Sequence, residues 1–187
     1  MEISQQIVGV NQRLGNTAVP NMQGTTRAIF DILTNPNGNS LTFFQDVQTR
    51  PYPFSNINQN RFEVGESLAI ESIAFVFFEE GYSPGLALNN YLFAGNNAAP
   101  LLNLYIGNQR VIKDLDLSYS SCTLGNTQGI GTTNAVFTQA VFRLETPIVI
   151  PPQIEFYATL KFATSQTVTC GLILQGTGTL LNTQENF

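Results

Sequence analysis

The chain has 187 residues and a formal net charge of −5, with 43% hydrophobic and only 11% charged residues, and it contains no histidine and no tryptophan. The apolar share excludes a disordered chain, and the missing histidine removes the commonest general base and the commonest transition-metal ligand. The 8 Lys and Arg are scattered, which leaves no cationic footprint for nucleic acid, while 19 Asn and 14 Gln supply the polarity that charge does not.

Residues 1–26 are polar and amide-rich around a short apolar patch at Ile7, Val8 and Val10, and read as an extended N-terminal arm. That leaves residues 27–187 as one domain. The start has neither the cationic residues nor the apolar core of a secretory leader, and no apolar run approaches membrane-spanning length. A strand is expected over 27–33. The segment TNPNGNS, 34–40, is a dense turn signal, Asn-Pro followed by Asn-Gly. LTFFQDVQ, 41–48, fits a strand or a short helix capped by Ser40. RPYPFSN, 50–56, sets two prolines around Tyr52 and reads as an extended loop.

Alternation at Phe62/Val64 and then at Leu68/Ile70, with Glu on the opposite face, predicts a strand that ends at Glu79-Glu80-Gly81. Its phase blurs over 73–78, as it would in a strand buried on both faces. Residues 82–100 break the β pattern, with Leu86, Leu88 and Leu92 spaced for one face of a short helix. Residues 101–117 read as a hairpin turning at Gly107-Asn108. CTLGNTQGIGTT, 122–133, reads as a glycine-rich loop, followed by a strand over 135–144. Thr146-Pro147 and Pro151-Pro152 flank a short apolar run. QIEFYATLKF, 153–162, alternates cleanly, with Ile154, Phe156, Ala158, Leu160 and Phe162 on one face, and 167–176 is the last long strand. About eight strands without strand–helix alternation predict an all-β fold, a single antiparallel jelly-roll sandwich. The absence of tryptophan weighs against an immunoglobulin-type sandwich.

Without histidine there is no Ser-His-Asp or Cys-His site, and Cys122 and Cys170 are too few for a thiolate zinc site or a disulfide scaffold. Cys170, inside an apolar strand, reads as a buried thiol. A glycosidase-like carboxylate pair would have to be drawn from Glu63, Glu66, Glu71, Glu79 and Glu80, and the adjacent last two would point to opposite faces of a strand. Asp114 and Asp116 share one strand face but lack the spacing of a calcium loop, and read as a solvated face. GNTQGIG, 125–131, lacks the Lys-Ser/Thr pair of a phosphate-binding loop and reads as a mobile connection. Tyr52, Phe54, Tyr82 and Tyr91 suit a sugar-stacking platform or, more simply, packing and interface. The expectation is a protein with no catalytic residues, cofactor or metal.

Two segments carry a resemblance. TFFQDVQTRPYPFSNINQNRFEVGESLAIESIAF, 42–75, joins an aromatic pair, a Pro-aromatic-Pro-Phe loop and Arg-Phe-Glu-Val-Gly-Glu leading into a long apolar strand. It resembles auxiliary (decoration) capsid proteins of tailed bacteriophages, particularly the crAss-like phages. VIPPQIEFYATLKF, 149–162, looks like a closing strand of a viral jelly roll. The lack of a targeting signal and of glycosylation sequons fits synthesis in the bacterial host cytoplasm. The resemblance implies a structural virion protein that sits on the capsid surface, on a shell made by another protein. It would bind the major capsid protein, where shell subunits meet, and associate with itself, for example as a trimer. It would contact neither nucleic acid nor membrane.

Neutral amides desolvate more cheaply than ions, which suits a surface made for repeated polar contact. The residues expected at that contact are Gln5, Gln6, Ile7, Val8, Val10, Asn11, Gln12 and Arg13 of the arm, and Arg50, Tyr52 and Phe54 of the proline loop. Two other roles fit the same composition. One is a jelly-roll major coat protein that forms the shell itself. The other is a carbohydrate-binding module of a phage fibre or tail, using Tyr52 and Tyr82.

Overall fold

The structure, a computed structural model, describes residues 22–79, 100–117, 121–126 and 136–181. Seven strands follow in order: β1 Met22–Phe43, β2 Ser67–Glu79, β3 Leu101–Ile106, β4 Gln109–Asp116, β5 Ser121–Asn126, β6 Val136–Ile150 and β7 Phe156–Leu181. Among the described residues there is no α-helix, only a 3-10 turn at Val47–Thr49. The segment 41–48 is therefore strand to Phe43 and 3-10 turn beyond it. The helix expected around Leu86, Leu88 and Leu92 lies outside the described residues, as does the glycine-rich connection past Asn126.

The strands pair in nested order, first with last and inner with inner. β1 runs antiparallel to β7 from Met22↔Leu181 to Phe43↔Ala158, β2 runs against β6, and β3 against β4. Such a ribbon, rolled up, is a jelly roll. The roll closes because β1 and β7 each serve both layers. Met22–Asn35 and Thr167–Leu181 join β2 and β6 in one sheet, with β5 added at its edge. Ser40–Phe43 and Phe156–Lys161 join β3 and β4 in the other. The jelly-roll sandwich expected from the pattern is thus present, as two antiparallel sheets sharing their longest strands.

Four local expectations are corrected by the observed strands. The turn signal at 34–40 does not end a strand. It becomes the corner at which β1 passes between layers, marked by register shifts at Pro36/Gly38 and Gly38/Ser40. Proline lacks the N–H a regular ladder needs, and glycine tolerates the bend. The two strands expected at 153–162 and 167–176 are one element, β7, crossing the same corner. CTLGN, 122–126, assigned to a loop, lies wholly within β5, and residues 22–26, assigned to the arm, open β1.

β2 explains its own blurred phase. Leu68 and Ile70 face the core, and so do Ile73 and Phe75, with a register shift between Ile70 and Ser72. A bulge moves the apolar set from even to odd positions. Ala69, Ala74 and Val76 are buried as well, so this part of the strand is covered on both faces. Phe62 and Val64, by contrast, precede β2 in a turn: Phe62 is buried and bridges Pro152, whereas Val64 is exposed. Between Ile148 and Arg143, β6 shifts register against β2, and Pro147 sits in that irregularity.

One core fills the sandwich. Phe43 and Phe75 meet edge-to-face between the sheets at 6.3 Å, and Phe156 packs against Phe44 and Phe62 at 5.6 and 5.3 Å. Fully burying each such side chain contributes roughly 2–3 kcal/mol.

Candidate interaction surface

Among the described residues β1 is the outer strand of its sheet over Met22–Asn35, since its ladder there is made with β7 alone. An exposed edge invites pairing with other chains. Here the segment after the proline loop covers it. Ile32 N donates to Phe54 O at 2.8 Å, and Asn56 N donates to Phe30 O at 3.4 Å. The Asn56 carboxamide reads β1 as a second backbone would: its Oδ1 accepts from Phe30 N and its Nδ2 donates to Ala28 O, both at 2.8 Å. Ser55 Oγ adds a bond to Phe30 O at 3.1 Å.

The other side of the loop is fixed by a buried ion pair. Asp31 is 0% exposed. Its Oδ2 accepts from Phe44 N at 2.7 Å and from Arg50 Nη2 at 2.9 Å, and its Oδ1 accepts from Arg50 Nε at 3.2 Å. Arg50 Nη2 also donates to Gln45 O. The forked guanidinium matches the carboxylate and leaves little of it unpaired. Arg50, one of the residues expected at an interface, also positions the loop from within.

Between these anchors, Pro51 to Phe54 turn back on themselves through Phe54 N donating to Pro51 O at 3.1 Å, with a cis Tyr52–Pro53 bond. Tyr52 is 80% exposed and Phe54 53%. Two aromatic side chains thus project from a segment whose backbone is tied at both ends. Large aromatics on a preorganised backbone are what interface centres use, because little freedom remains to be lost on binding. The arm residues Gln5, Gln6, Ile7, Val8, Val10, Asn11, Gln12 and Arg13 lie outside the described residues, as do Tyr82 and Tyr91.

Three of the remaining candidates, Glu66, Glu71 and Asp114, are engaged in structural contacts. Glu66 pairs with Arg27 at 3.1 Å, and Arg27 also stacks over the Phe62 ring at 4.4 Å. Glu71 accepts from Thr177 Oγ1 at 2.7 Å. Asp114, in the left-handed region at φ 47, donates its N–H to Asn103 Oδ1 at 2.9 Å and accepts from Asn103 Nδ2 at 3.2 Å, a bulge that with Arg110 and Lys113 guards the β4 edge. Among the described residues no three acidic, cysteine or histidine side chains converge as metal ligands would. Cys170 is a free, buried thiol, and burial pushes its pKa far up.

Sequence reasoning missed a polar groove of about 490 Å³ between residues 45–48 and 58–61, closed by Glu155. A smaller one, about 270 Å³, adjoins it beside Arg27 and Glu66 and shares Asn58, Gln59 and Arg61. The run NINQN, 56–60, was its one visible sign. Fold and surface together define the class: a jelly-roll β-sandwich that presents an aromatic tip and an amide-lined groove. In comparisons with known proteins, the chain matches no family model, no curated protein and no solved structure.

Proposed function

We propose that the chain is a structural virion protein that decorates or cements a phage head, binding the major capsid protein where shell subunits meet. The observation that carries this reading is the Tyr52/Phe54 tip, held outward by Arg50–Asp31 on one side and Asn56 on the other. The resemblance of 42–75 to phage decoration proteins covers the same loop. A binder of this kind works by mass action: each bound copy favours the joined shell over its separated subunits. Self-association into a closed ring would multiply the contacts. No chemistry is assigned to the site, and the place of action is the capsid surface.

The test is co-sedimentation of the purified chain with preformed heads, followed by heat or osmotic challenge. Binding together with raised resistance supports the proposal. A chain that leaves heads unbound and unprotected refutes it, and closed particles formed by the chain alone would mark it as a shell protein instead. The double variant Tyr52→Ser/Phe54→Ser should weaken head binding at least about thirtyfold, as losses of about 2 kcal/mol at interface centres do. The arm is tested by removing residues 1–21, because a cut at 26 would take the start of β1.

A further inference from the structure

The groove between 45–48 and 58–61 differs in kind from the aromatic tip. Asn56 spends its carboxamide on β1, and Gln59 Oε1 accepts from Arg61 Nε at 3.2 Å. Gln45, Gln48, Asn58 and Asn60 also line or border this space, and their carboxamides have no hydrogen-bond partner among the described residues. Each presents two N–H donors and a carbonyl acceptor in one plane. Such a unit matches a pair of neighbouring hydroxyls, giving to one and taking from the other.

The lining also says what the groove does not suit. An anion would face Asp46 and Glu155 across from Arg61, and a cation would find no converging ligand set among the described residues. An apolar molecule would meet only Val47, whose side chain is buried in the core. A neutral, hydroxyl-rich ligand is the class left.

Two further observations support it. The loop that forms one wall is held in a conformation non-glycine residues seldom adopt, with Phe44 at φ 65 and Asp46 at φ 53, and the Asp31–Arg50 pair holds both ends of it. Strain of this sort persists where the surroundings over-determine it, often at ligand clamps. On β7, Tyr157 follows Glu155 by two positions, on the face opposite the buried Phe156 and Ala158. It stacks on Tyr105 with ring centres 4.6 Å apart and planes 8° from parallel. Both side chains are half-buried, so part of the stacked pair remains accessible to a ligand.

We infer that this groove binds a neutral oligosaccharide. The free carboxamides of Gln45, Gln48, Asn58 and Asn60 hold its hydroxyls, and a sugar chain running past Glu155 along its strand would find the Tyr105–Tyr157 pair as a surface for the C–H face of a ring. The site includes neither Tyr52 nor Phe54 and does not depend on the shell-binding proposal.

The experiment is a titration of the full, isotope-labelled chain with soluble gluco-, galacto- and manno-configured neutral oligosaccharides and one sialylated oligosaccharide, read by side-chain amide resonances. Saturable shifts of the Gln48 and Asn60 carboxamides with a neutral sugar are expected. Gln48→Ala and Asn60→Ala should each weaken that binding about five- to tenfold, as loss of one or two hydrogen bonds does. Tyr52→Ala should leave it unchanged. Unaltered backbone spectra of the variants would show that the fold is kept. No shift with any neutral sugar, binding of the sialylated sugar alone, or neutral-sugar binding that survives both groove substitutions would overturn the inference. Head co-sedimentation of the same variants separates this site from the shell contact, since groove substitutions should leave it intact.

Discussion

Asp31 shows how one side chain can organise a surface it never reaches. Its carboxylate sits in a strand, at 0% exposure, and takes three hydrogen bonds from Phe44 and Arg50. Replacing it by alanine leaves a guanidinium and a buried N–H unpaired, so Asp31→Ala should cost about 3–5 kcal/mol in urea unfolding. Glu66→Ala, which breaks the partly buried pair with Arg27, should cost less, about 1–2 kcal/mol on the same scale. Arg50 reads as an interface residue because it stands beside aromatics, and its pairing with Asp31 is a further role that its sequence neighbours do not show. Its partner is 19 positions away, and nothing local announces the pairing. Cys170 was readable, since a thiol inside an apolar strand is buried in most folds. Burial keeps it protonated when folded, while the unfolded thiol ionises near its ordinary 9.0. Unfolding above that pH releases a proton, so stability is full below it and falls as pH rises past it. The slope approaches about 1.4 kcal/mol per pH unit. Denaturant unfolding at pH 8 and 10, with Cys170→Ala as the reference lacking this contribution, measures the difference. In a Cys122→Ser background, a thiol reagent should react with Cys170 only after denaturant is added.

The strands show where local pattern suffices and where it does not. The β3–β4 hairpin was legible because both strands and their Gly107-Asn108 turn are adjacent in sequence. The corner at 34–40 carries the same residues as a hairpin turn, and only its partner across the sheet makes it a bend. Close approach between β2 and β7 adds a constraint at Gly176, where a Cβ would lie 1.9 Å from Ala69 O. The neighbour is backbone, so it has no rotamer to yield. Gly176→Ala should cost about 3 kcal/mol or more, visible as a lowered thermal midpoint. At the β1 edge, Asn56→Ala removes two hydrogen bonds and should cost about 1–2 kcal/mol. It should also speed hydrogen exchange at the Phe30 amide while leaving amides of β7 protected, because the opening is confined to the loop.

Across the molecule, the nested pairing sets how the chain must fold. The first described strand pairs with the last, Met22 with Leu181, so the roll closes only when the ends of the domain meet. Contacts this distant require loop closure before they stabilise anything. Refolding by stopped-flow dilution should accordingly take milliseconds to seconds, typical of β-sandwiches, and not the microseconds of helical bundles. The same closure makes the surface dependable. The proline loop covers the β1 edge, the Asn103–Asp114 bulge distorts the β4 edge, and neither is left as a flat template for stray pairing.

Composition and period were enough to read an all-β sandwich of about eight strands, a buried cysteine and an amide-rich surface. These depend on local properties: alternation with period two, proline and glycine at bends, and the solvation of side chains one at a time. The continuity of β1 and β7, the partnership of Asp31 with Arg50 and the groove beside Glu155 arise from residues far apart in the chain. Their proximity follows from rolling a long ribbon until its two ends lie side by side, and a one-dimensional pattern holds no record of that distance.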